Sequence, residues 1–354
     1  MHSSPPFRWL SLLALCALAP IAAEAWPIQK KNIQQNNRVF QDGFGTELLW
    51  HYKSMPKKAS LPKHRMPYAG YIYPDNQGGC EAVLWKYDQA FHHGRGLAVG
   101  FERHDIEIHK EKKSGLFGFA SRAQTPDWTG HCNGWTAAAI RHAEPQRSVR
   151  RGGVTFAPAD IKGLLAELYV YGDHEILGGE NKTPINPGML HVILANWIAR
   201  AKHPVGIDST AGEEIWNYPV YAYSSDGAFR SRNLVEVKTN IAYVFMLHEE
   251  QNRAPRGHRQ LMSLHYSLEL NDDGEIIGGQ YYRDSQRPEL LWVPNKPAQG
   301  GTKGNEQGNP HMNAAEILAM WRESVPKEDR KQWWNIDPIA KDALVETNHP
   351  LTEE

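Results

Sequence analysis

The order in which helical and strand patterns follow one another constrains the fold of this 354-residue chain most strongly. From Pro158, apolar residues recur at i, i+3, i+4 and i+7, which predicts an amphipathic helix that ends near Gly172. Beyond Pro204 the pattern changes to strands, and two of them flank a turn at residues 271–274, which predicts a β-hairpin. Helices followed by strands favour an α+β domain with an antiparallel sheet over alternating βαβ units.

The apolar segment INPGMLHVILANWIARAK, residues 185–202, fits two interpretations. Asn186 is a good cap for a helix that would begin at Pro187, because proline is favoured at the first helical position. The stretch HVILAN alone would also fit a buried strand, since short apolar runs do not distinguish the two. The sequence leaves both structures open.

The ends of the chain differ in character from its middle. Residues 1–25 combine Arg8, an apolar run and the sequence Ala23-Glu24-Ala25, which is typical of a cleaved secretory signal peptide. Residues 26–65 are polar and are interpreted as an N-terminal extension or linker, residues 66–323 as the main domain, and residues 324–354 as a peripheral tail. We therefore expect a secreted or periplasmic protein without a membrane span.

Charge and metal-binding patterns exclude several classes of function. With 39 basic and 40 acidic residues, the chain has no overall field that would attract nucleic acid or anionic lipid. The two histidines of HDIEIH, five residues apart, would point to different faces of a helix or a strand. The Asp-Asp-Gly turn at 272–274 lacks the spacing of an EF-hand. We therefore predict no metal site, and no motif supports a calcium requirement.

Cleavage of the signal peptide would remove Cys16 and leave Cys80 and Cys132. In an oxidising compartment two cysteines usually form a disulfide, although Cys80 also fits a small buried apolar residue. Cys132 lies in WTGHCNGWTAAAI, directly before a helix-favouring run. A helix N-terminus and an adjacent imidazolium both lower the pKa of a thiol, which would make Cys132 a nucleophile.

Such a nucleophile needs a base and a group that orients the base. His191 stands in an apolar run and Asp208 lies between a strand and a turn; each alone is more typical of a structural residue. Taken with Cys132, they indicate a Cys-His-Asp site. Further candidates for contacts with the substrate or an oxyanion are Trp128, Asn133, Trp135, Trp216 and Asn217.

A series of sequence blocks resembles the transglutaminase elicitor family, which comprises oomycete cell-wall transglutaminases and bacterial relatives. These blocks cover residues 67–321 and are PYAGYIYP, WKYDQAF, GHCNGW, DIKGLL, INPGMLH, EIWNYPV, DDGEIIGG, PELLWVP and GNP. The resemblance implies a catalytic domain with a cysteine protease-like or transglutaminase-like core.

By matching blocks, the resemblance gives Cys132 the role of nucleophile and His191 that of base. The third position matches Asp208, but Glu214 and Asn217 remain alternatives for orienting the imidazole. Tyr218 stands where the family favours glutamine, which leaves donor and acceptor specificity open.

The chemistry implied is that of a protein-glutamine gamma-glutamyltransferase. Cys132 would form a thioester from a peptidyl glutamine, and a lysine or another primary amine would resolve it as an isopeptide bond. Trp128, Trp135 and Trp216 would exclude water from the reaction. The alternatives are a cysteine hydrolase on the same scaffold, and a secreted binding or effector protein without activity in which Cys80 and Cys132 form a disulfide.

Overall fold

The computed structural model describes residues 26–110, 125–126, 128–180, 182–255 and 258–330. The signal peptide predicted at residues 1–25 lies outside this range and stays a prediction. The described helices are α1 (Lys30–Phe44), α2 (Glu81–Phe91), α3 (Leu97–Ile108), α4 (Cys132–Arg141), α5 (Pro158–Tyr169), α6 (Pro187–Ile193) and α7 (Ala314–Ser324). The described strands are β1 (Trp26–Pro27), β2 (Lys58–Ser60), β3 (Val149–Arg151), β4 (Val154–Phe156), β5 (His174–Gly178), β6 (Val205–Asp208), β7 (Asn217–Ser231), β8 (Leu234–Val244), β9 (Arg259–Leu270), β10 (Ile276–Tyr281) and β11 (Leu290–Pro294).

Nine of these strands form one antiparallel sheet. Their order is β1-β10-β9-β8-β7-β6-β11-β5, and β2 pairs with the middle of β7. The predicted hairpin connects β9 and β10, where Gly274 takes a φ of 83° and the Asn271 side chain accepts the backbone N–H of Asp273 and Glu275. Helices in the first half and an antiparallel sheet in the second confirm the predicted mixture of helix and strand.

The ambiguous apolar segment is a helix. The side chain of Asn186 accepts the backbone N–H groups of Gly188 and Met189, and α6 begins at Pro187. The helix continues as a π-helical stretch, Leu194–Arg200, and the side chains are buried throughout as far as Ala199. The sheet curls around this helix, with β9 and β10 on one side and β5 on the other. A helix covered on all sides is expected to be apolar on all sides, as this one is.

Residues 26–65, which the sequence suggested were an N-terminal extension or linker, pack against the rest of the fold. Phe40 of α1 is buried and packs edge-on against Trp197, while β1 pairs with β10 and β2 pairs with β7. The segment is polar overall because α1 presents only a few side chains, such as Phe40, to the core. It is nevertheless part of the fold.

Near the C-terminus, Asn313 caps α7, because its side chain accepts the backbone N–H of Glu316. Trp321 is buried and donates its indole N–H to the backbone oxygen of Ala143. Among the helices that the structure describes, none is long and apolar enough to cross a membrane.

Candidate active site

Cys132 is the first residue of α4, as the sequence predicted. The Thr136 hydroxyl donates to the backbone oxygen of Asn217, 3.0 Å away, and so ties α4 to the start of β7. A Cβ atom at Gly134 would lie 2.2 Å from the backbone oxygen of Ala166, so this glycine lets α4 pack closely on α5. Its role in the structure is helix packing.

A cavity of about 440 Å³ opens beside Cys132, a volume suited to a small ligand or a side chain. Strand register explains its sheet wall, because Asn217 lies opposite Asp208 and Asp208 lies opposite Leu290. Trp292 follows two residues after Leu290, so it projects from the same face of the sheet. All four residues line the cavity together with Cys132.

Asn217 is oriented toward the sulfur by its neighbour Trp292. The indole N–H of Trp292 donates to Oδ1 of Asn217 over 2.7 Å, which leaves the amide nitrogen of Asn217 as a donor to Sγ of Cys132. The indole crosses strand β6 at Gly206, where a Cβ would lie 2.4 Å from the ring. Asn217 therefore has a fixed orientation in which it stabilises negative charge on the sulfur.

Burial raises the pKa of the Cys132 thiol above its usual range. Hydrogen bonds from Asn217 and from the backbone N–H of Asn133 lower it, but they do not offset burial. The sequence had predicted a lowered pKa from a helix terminus and an imidazolium. The structure corrects this, so the thiol needs a group that accepts its proton during attack.

Asp208 is the candidate for that group. It is the last residue of β6, and its Oδ1 accepts the backbone N–H groups of Trp216 and Thr210 at 3.2 and 3.4 Å. Burial raises the pKa of this carboxyl to about 6, with a smaller contribution from Glu289. Both side chains line the cavity, and the negative charge of this carboxylate raises the pKa of the Cys132 thiol.

The structure does not bring His191 to Cys132. Ile207 and Leu291 alternate with the cavity residues and so face the other side of the sheet. Gly178, which pairs with Leu291, points on that side toward Met189 of α6, the helix that carries His191. The predicted Cys132–His191 pair is therefore corrected, because the sheet separates the two residues.

His191 instead belongs to the buried interior. Its Nδ1 hydrogen-bonds with the Tyr266 hydroxyl at 2.8 Å, and its ring packs against Tyr52. Burial lowers the pKa of this imidazole to about 4, so it is neutral at physiological pH. The surroundings are those of a core histidine with a satisfied hydrogen bond.

We expect the substitution His191→Gln to separate a structural role from a catalytic one. The loss of a well-packed buried hydrogen bond should lower the free energy of unfolding by about 1–3 kcal/mol. The catalytic efficiency of the folded variant should stay within about threefold of the wild type, since the side chain does not line the cavity. Urea unfolding and steady-state kinetics measure the two effects, and a loss above about 100-fold in kcat/KM without unfolding would contradict this placement.

The other residues predicted to contact the substrate lie either at the cavity or in the core. Trp128 and Asn133 line the cavity. Trp135 is 2% exposed and donates to the backbone oxygen of Tyr68, so its predicted role as a tunnel wall is corrected to packing in the core. Tyr218 stacks on Phe245 and is likewise a core residue.

Trp216 and Glu214 contact each other rather than the cavity. The indole N–H of Trp216 donates to Oε2 of Glu214 over 3.0 Å, and the Trp216 backbone holds Asp208. Neither residue is among the described residues that line the cavity. Glu214 is therefore not the orienting group that the sequence left open, whereas Asp208 and Asn217 both reach the site.

The cavity wall is strongly acidic, a property that the sequence did not reveal. Its carboxylates come from several segments, and among the described lining residues there is no lysine or arginine. No spacing signal joins positions so far apart in the chain. The acidic residues are Asp75, Asp105, Asp173, Asp208 and Glu289.

Both described cysteines, Cys80 and Cys132, are free thiols. The Cys132 thiol donates weakly to the backbone oxygen of Ile215 at 3.5 Å, and the Cys80 thiol to that of Gly163 at 3.7 Å. The disulfide that the sequence left open is therefore absent from the structure.

The chain is similar to a known protein family in sequence and to a solved structure in fold. The family model of the transglutaminase elicitor matches residues 110–177 and 170–245. The crystal structure of the GP42 transglutaminase from Phytophthora sojae is similar, with a TM-score of 0.68 and 23% sequence identity, over 84% of this chain and 99% of that chain. At this identity the likeness shows a shared fold. No curated protein matches the chain.

Proposed function

We propose that this protein, which belongs to the transglutaminase elicitor family, is a protein-glutamine gamma-glutamyltransferase with Cys132 as its nucleophile. One observation carries the proposal: the free thiol of Cys132 stands at the first turn of α4, on the wall of a cavity that also holds Asp208 and Asn217. The fold shared with a transglutaminase supports it.

The first half-reaction forms a thioester. The Asp208 carboxylate takes the thiol proton while Sγ of Cys132 attacks the carboxamide carbon of a peptidyl glutamine. Negative charge then develops on the carboxamide oxygen, and the backbone N–H groups at the start of α4 are available to stabilise it. Ammonia leaves with the proton that Asp208 returns, and the acyl group remains on sulfur.

The second half-reaction transfers the acyl group to a primary amine. The acidic wall attracts a lysine side chain or another cationic amine and disfavours anionic acceptors. The bound ammonium first releases one proton to solvent. The neutral amine then loses a second proton to Asp208 as its nitrogen attacks the thioester, and Asp208 returns that proton to the thiolate that leaves. Apolar side chains of the cavity, including Trp128 and Trp292, limit competition by water.

The pH dependence of kcat/KM should reflect the ionisation of the Asp208 carboxyl. Because the carboxyl must be ionised to accept a proton and its pKa is about 6, kcat/KM should fall about tenfold per pH unit below that value. An ordinary aspartate would place this acid limb near pH ~4. A pH–rate profile of amine incorporation measures it, and a limb near pH ~4 would contradict the assignment of Asp208 as the proton acceptor.

The function itself is tested with a glutamine peptide and a fluorescent primary amine under reducing conditions. Covalent incorporation of the amine with release of ammonia supports the proposal. Ammonia without incorporation would replace it with deamidation, and the absence of both would make the protein a non-catalytic one. The same peptide with glutamate in place of glutamine is the matched control, which should give no product.

A further inference from the structure

A second cluster of reactive side chains lies behind Cys132, and one of its members, His131, also lines the cavity. Cys80, Glu102, His131 and Glu167 are all buried, and one potential ligand atom from each lies within 4.8 Å of the others. Cys80 directly precedes α2, Glu102 lies in α3, His131 directly precedes α4, and Glu167 lies in α5. We propose that these four side chains bind one zinc ion.

The chemistry of the ligand set favours zinc. A thiolate, an imidazole and two carboxylates supply S, N and O donors, whereas calcium and magnesium select oxygen ligands. Four protein ligands fill a tetrahedral coordination shell, which is typical of a structural rather than a catalytic zinc ion. The complex of three anionic ligands with the divalent ion would carry one net negative charge.

Hydrogen bonds outside the cluster orient the ligands toward a common centre. The backbone N–H of Cys80 donates to Oε1 of Glu102 over 2.7 Å, and the Asn309 amide donates to Oε1 of Glu167 over 3.1 Å. The Nδ1 atom of His131 lies 3.4 Å from the backbone oxygen of Tyr73, so Nε2 faces the carboxylates. Metal-binding histidines usually have such a partner on the other ring nitrogen.

Local sequence also makes room for the carboxylate of Glu102. Gly79 takes a φ of 56°, and a Cβ atom there would lie 2.1 Å from Oε1 of Glu102. The Gly-Gly-Cys sequence at residues 78–80 thus brings the backbone of Cys80 against this carboxylate. Any larger residue at position 79 would displace a proposed ligand.

Charge balance provides the second argument. Two carboxylates and a thiol share this buried space with one imidazole, whose Nε2 is 2.8 Å from Glu167 and 3.7 Å from Glu102. Buried charges are costly unless they are paired or coordinate a metal ion. A divalent ion would offset two of the three negative charges that the thiolate and the two carboxylates carry as ligands, whereas the imidazolium alone offsets one.

The ion would fix the position of the nucleophile. His131 is adjacent to Cys132 in the chain and precedes the first turn of α4, so a bond to His131 restrains the start of that helix. The other ligands join α4 to α2, α3 and α5. The ion would therefore hold α2, α3, α4 and α5 in fixed relative positions next to the cavity.

The test uses the full chain, exported and purified without a polyhistidine tag, and measures metal content by elemental analysis. We expect about one zinc ion per chain after dialysis against a weak chelator. Chelator-stripped protein should rebind zinc with a rise in Tm. The variants Cys80→Ser and Glu102→Gln should bind at least about 100-fold more weakly, because even outer partners of a metal site contribute 10–100-fold.

The variant Cys132→Ser is the matched control, since it removes the other thiol and should keep full zinc affinity. In that variant Cys80 is the remaining cysteine among the described residues, and zinc should protect it from alkylation. This readout does not need the variant Cys80→Ser to fold. Absence of zinc together with no zinc-dependent rise in Tm would overturn the proposal in favour of a metal-free His131–Glu167 ion pair. Unchanged affinity in Glu102→Gln and unprotected Cys80 would also overturn it. None of these readouts depends on transferase activity.

Discussion

Replacing Cys132 with alanine is expected to abolish amine incorporation, with a loss of about 10⁴-fold or more in kcat/KM. Removal of a catalytic nucleophile produces losses of this order or larger in well-studied enzymes, because no other group takes over the covalent step. The measurement is single-turnover incorporation of a fluorescent amine into a glutamine peptide at saturating enzyme. Retention of more than about 1% of the activity would rule out Cys132 as the nucleophile.

The conservative variant Cys132→Ser controls for folding. It keeps a small polar side chain at the start of α4, so Tm should change by only a few degrees, as expected for a difference of about 1 kcal/mol. Its activity should be as low as that of the alanine variant, since an unactivated hydroxyl is a much weaker nucleophile than a thiol. Loss of activity with an intact fold separates chemistry from stability.

The substitution Asp208→Asn should lower kcat/KM by about 10²–10⁴-fold, the usual contribution of general acid–base catalysis. Asparagine keeps the oxygen that accepts the backbone N–H groups of Trp216 and Thr210, so the local structure should persist. The matched variant is His174→Gln, because His174 also lines the cavity but its Nδ1 hydrogen-bonds with the backbone oxygen of Gly172. Loss of activity in His174→Gln with retention in Asp208→Asn would contradict the assignment.

The same substitution should stabilise the protein at neutral pH. The folded pKa of Asp208, about 6, lies above its usual value of 3.8, so folding favours the protonated carboxyl. Wild-type stability should therefore decrease as pH rises from about 4 through 6, by about 1–3 kcal/mol. Asp208→Asn lacks this decrease. Urea unfolding at about pH 4.5 and about pH 7.5, on either side of the folded pKa, measures how the free energy of unfolding changes with pH. A greater pH dependence in Asp208→Asn than in the wild type would contradict this prediction.

Local signals in the sequence predicted local structure well. The periodicity after Pro158 predicted α5, the Asn186-Pro187 pair predicted one of the two structures considered for α6, and the turn at 271–274 predicted the β9–β10 hairpin. Each of these features depends on hydrogen bonds or packing among residues that are close in the chain. The position of Cys132 at the start of α4 belongs to the same class.

The arrangement of the site was harder to predict because it depends on which face of the sheet each element covers. His191 and Met189 share a helix that the sheet encloses, while Cys132 lies on the other side of β6 and β11. Apolar periodicity around His191 indicates that the helix is buried, but it does not indicate which face of the sheet the helix covers. A matching order of Cys, His and Asp along the chain was therefore insufficient to place His191 beside Cys132.

Residues 26–65 show that the average composition of a segment can fail to predict how the segment packs. Their composition suggested a linker, yet Phe40, Leu48 and Leu61 are buried in the core. A few apolar side chains are enough to attach a polar helix and two short strands to a large sheet. Average polarity over the segment conceals the few positions that decide its packing.

The proposed reaction requires that the sulfur of Cys132 carries the acyl group. The most direct measurement is to mix the protein with a glutamine peptide in the absence of an amine, quench with acid, and map the covalent adduct by peptide mass spectrometry. We predict a peptide acyl group, with loss of ammonia, on Cys132 in the wild type and none in Cys132→Ala. An adduct on another residue, or amine incorporation by a protein that never carries an adduct on Cys132, would contradict the account.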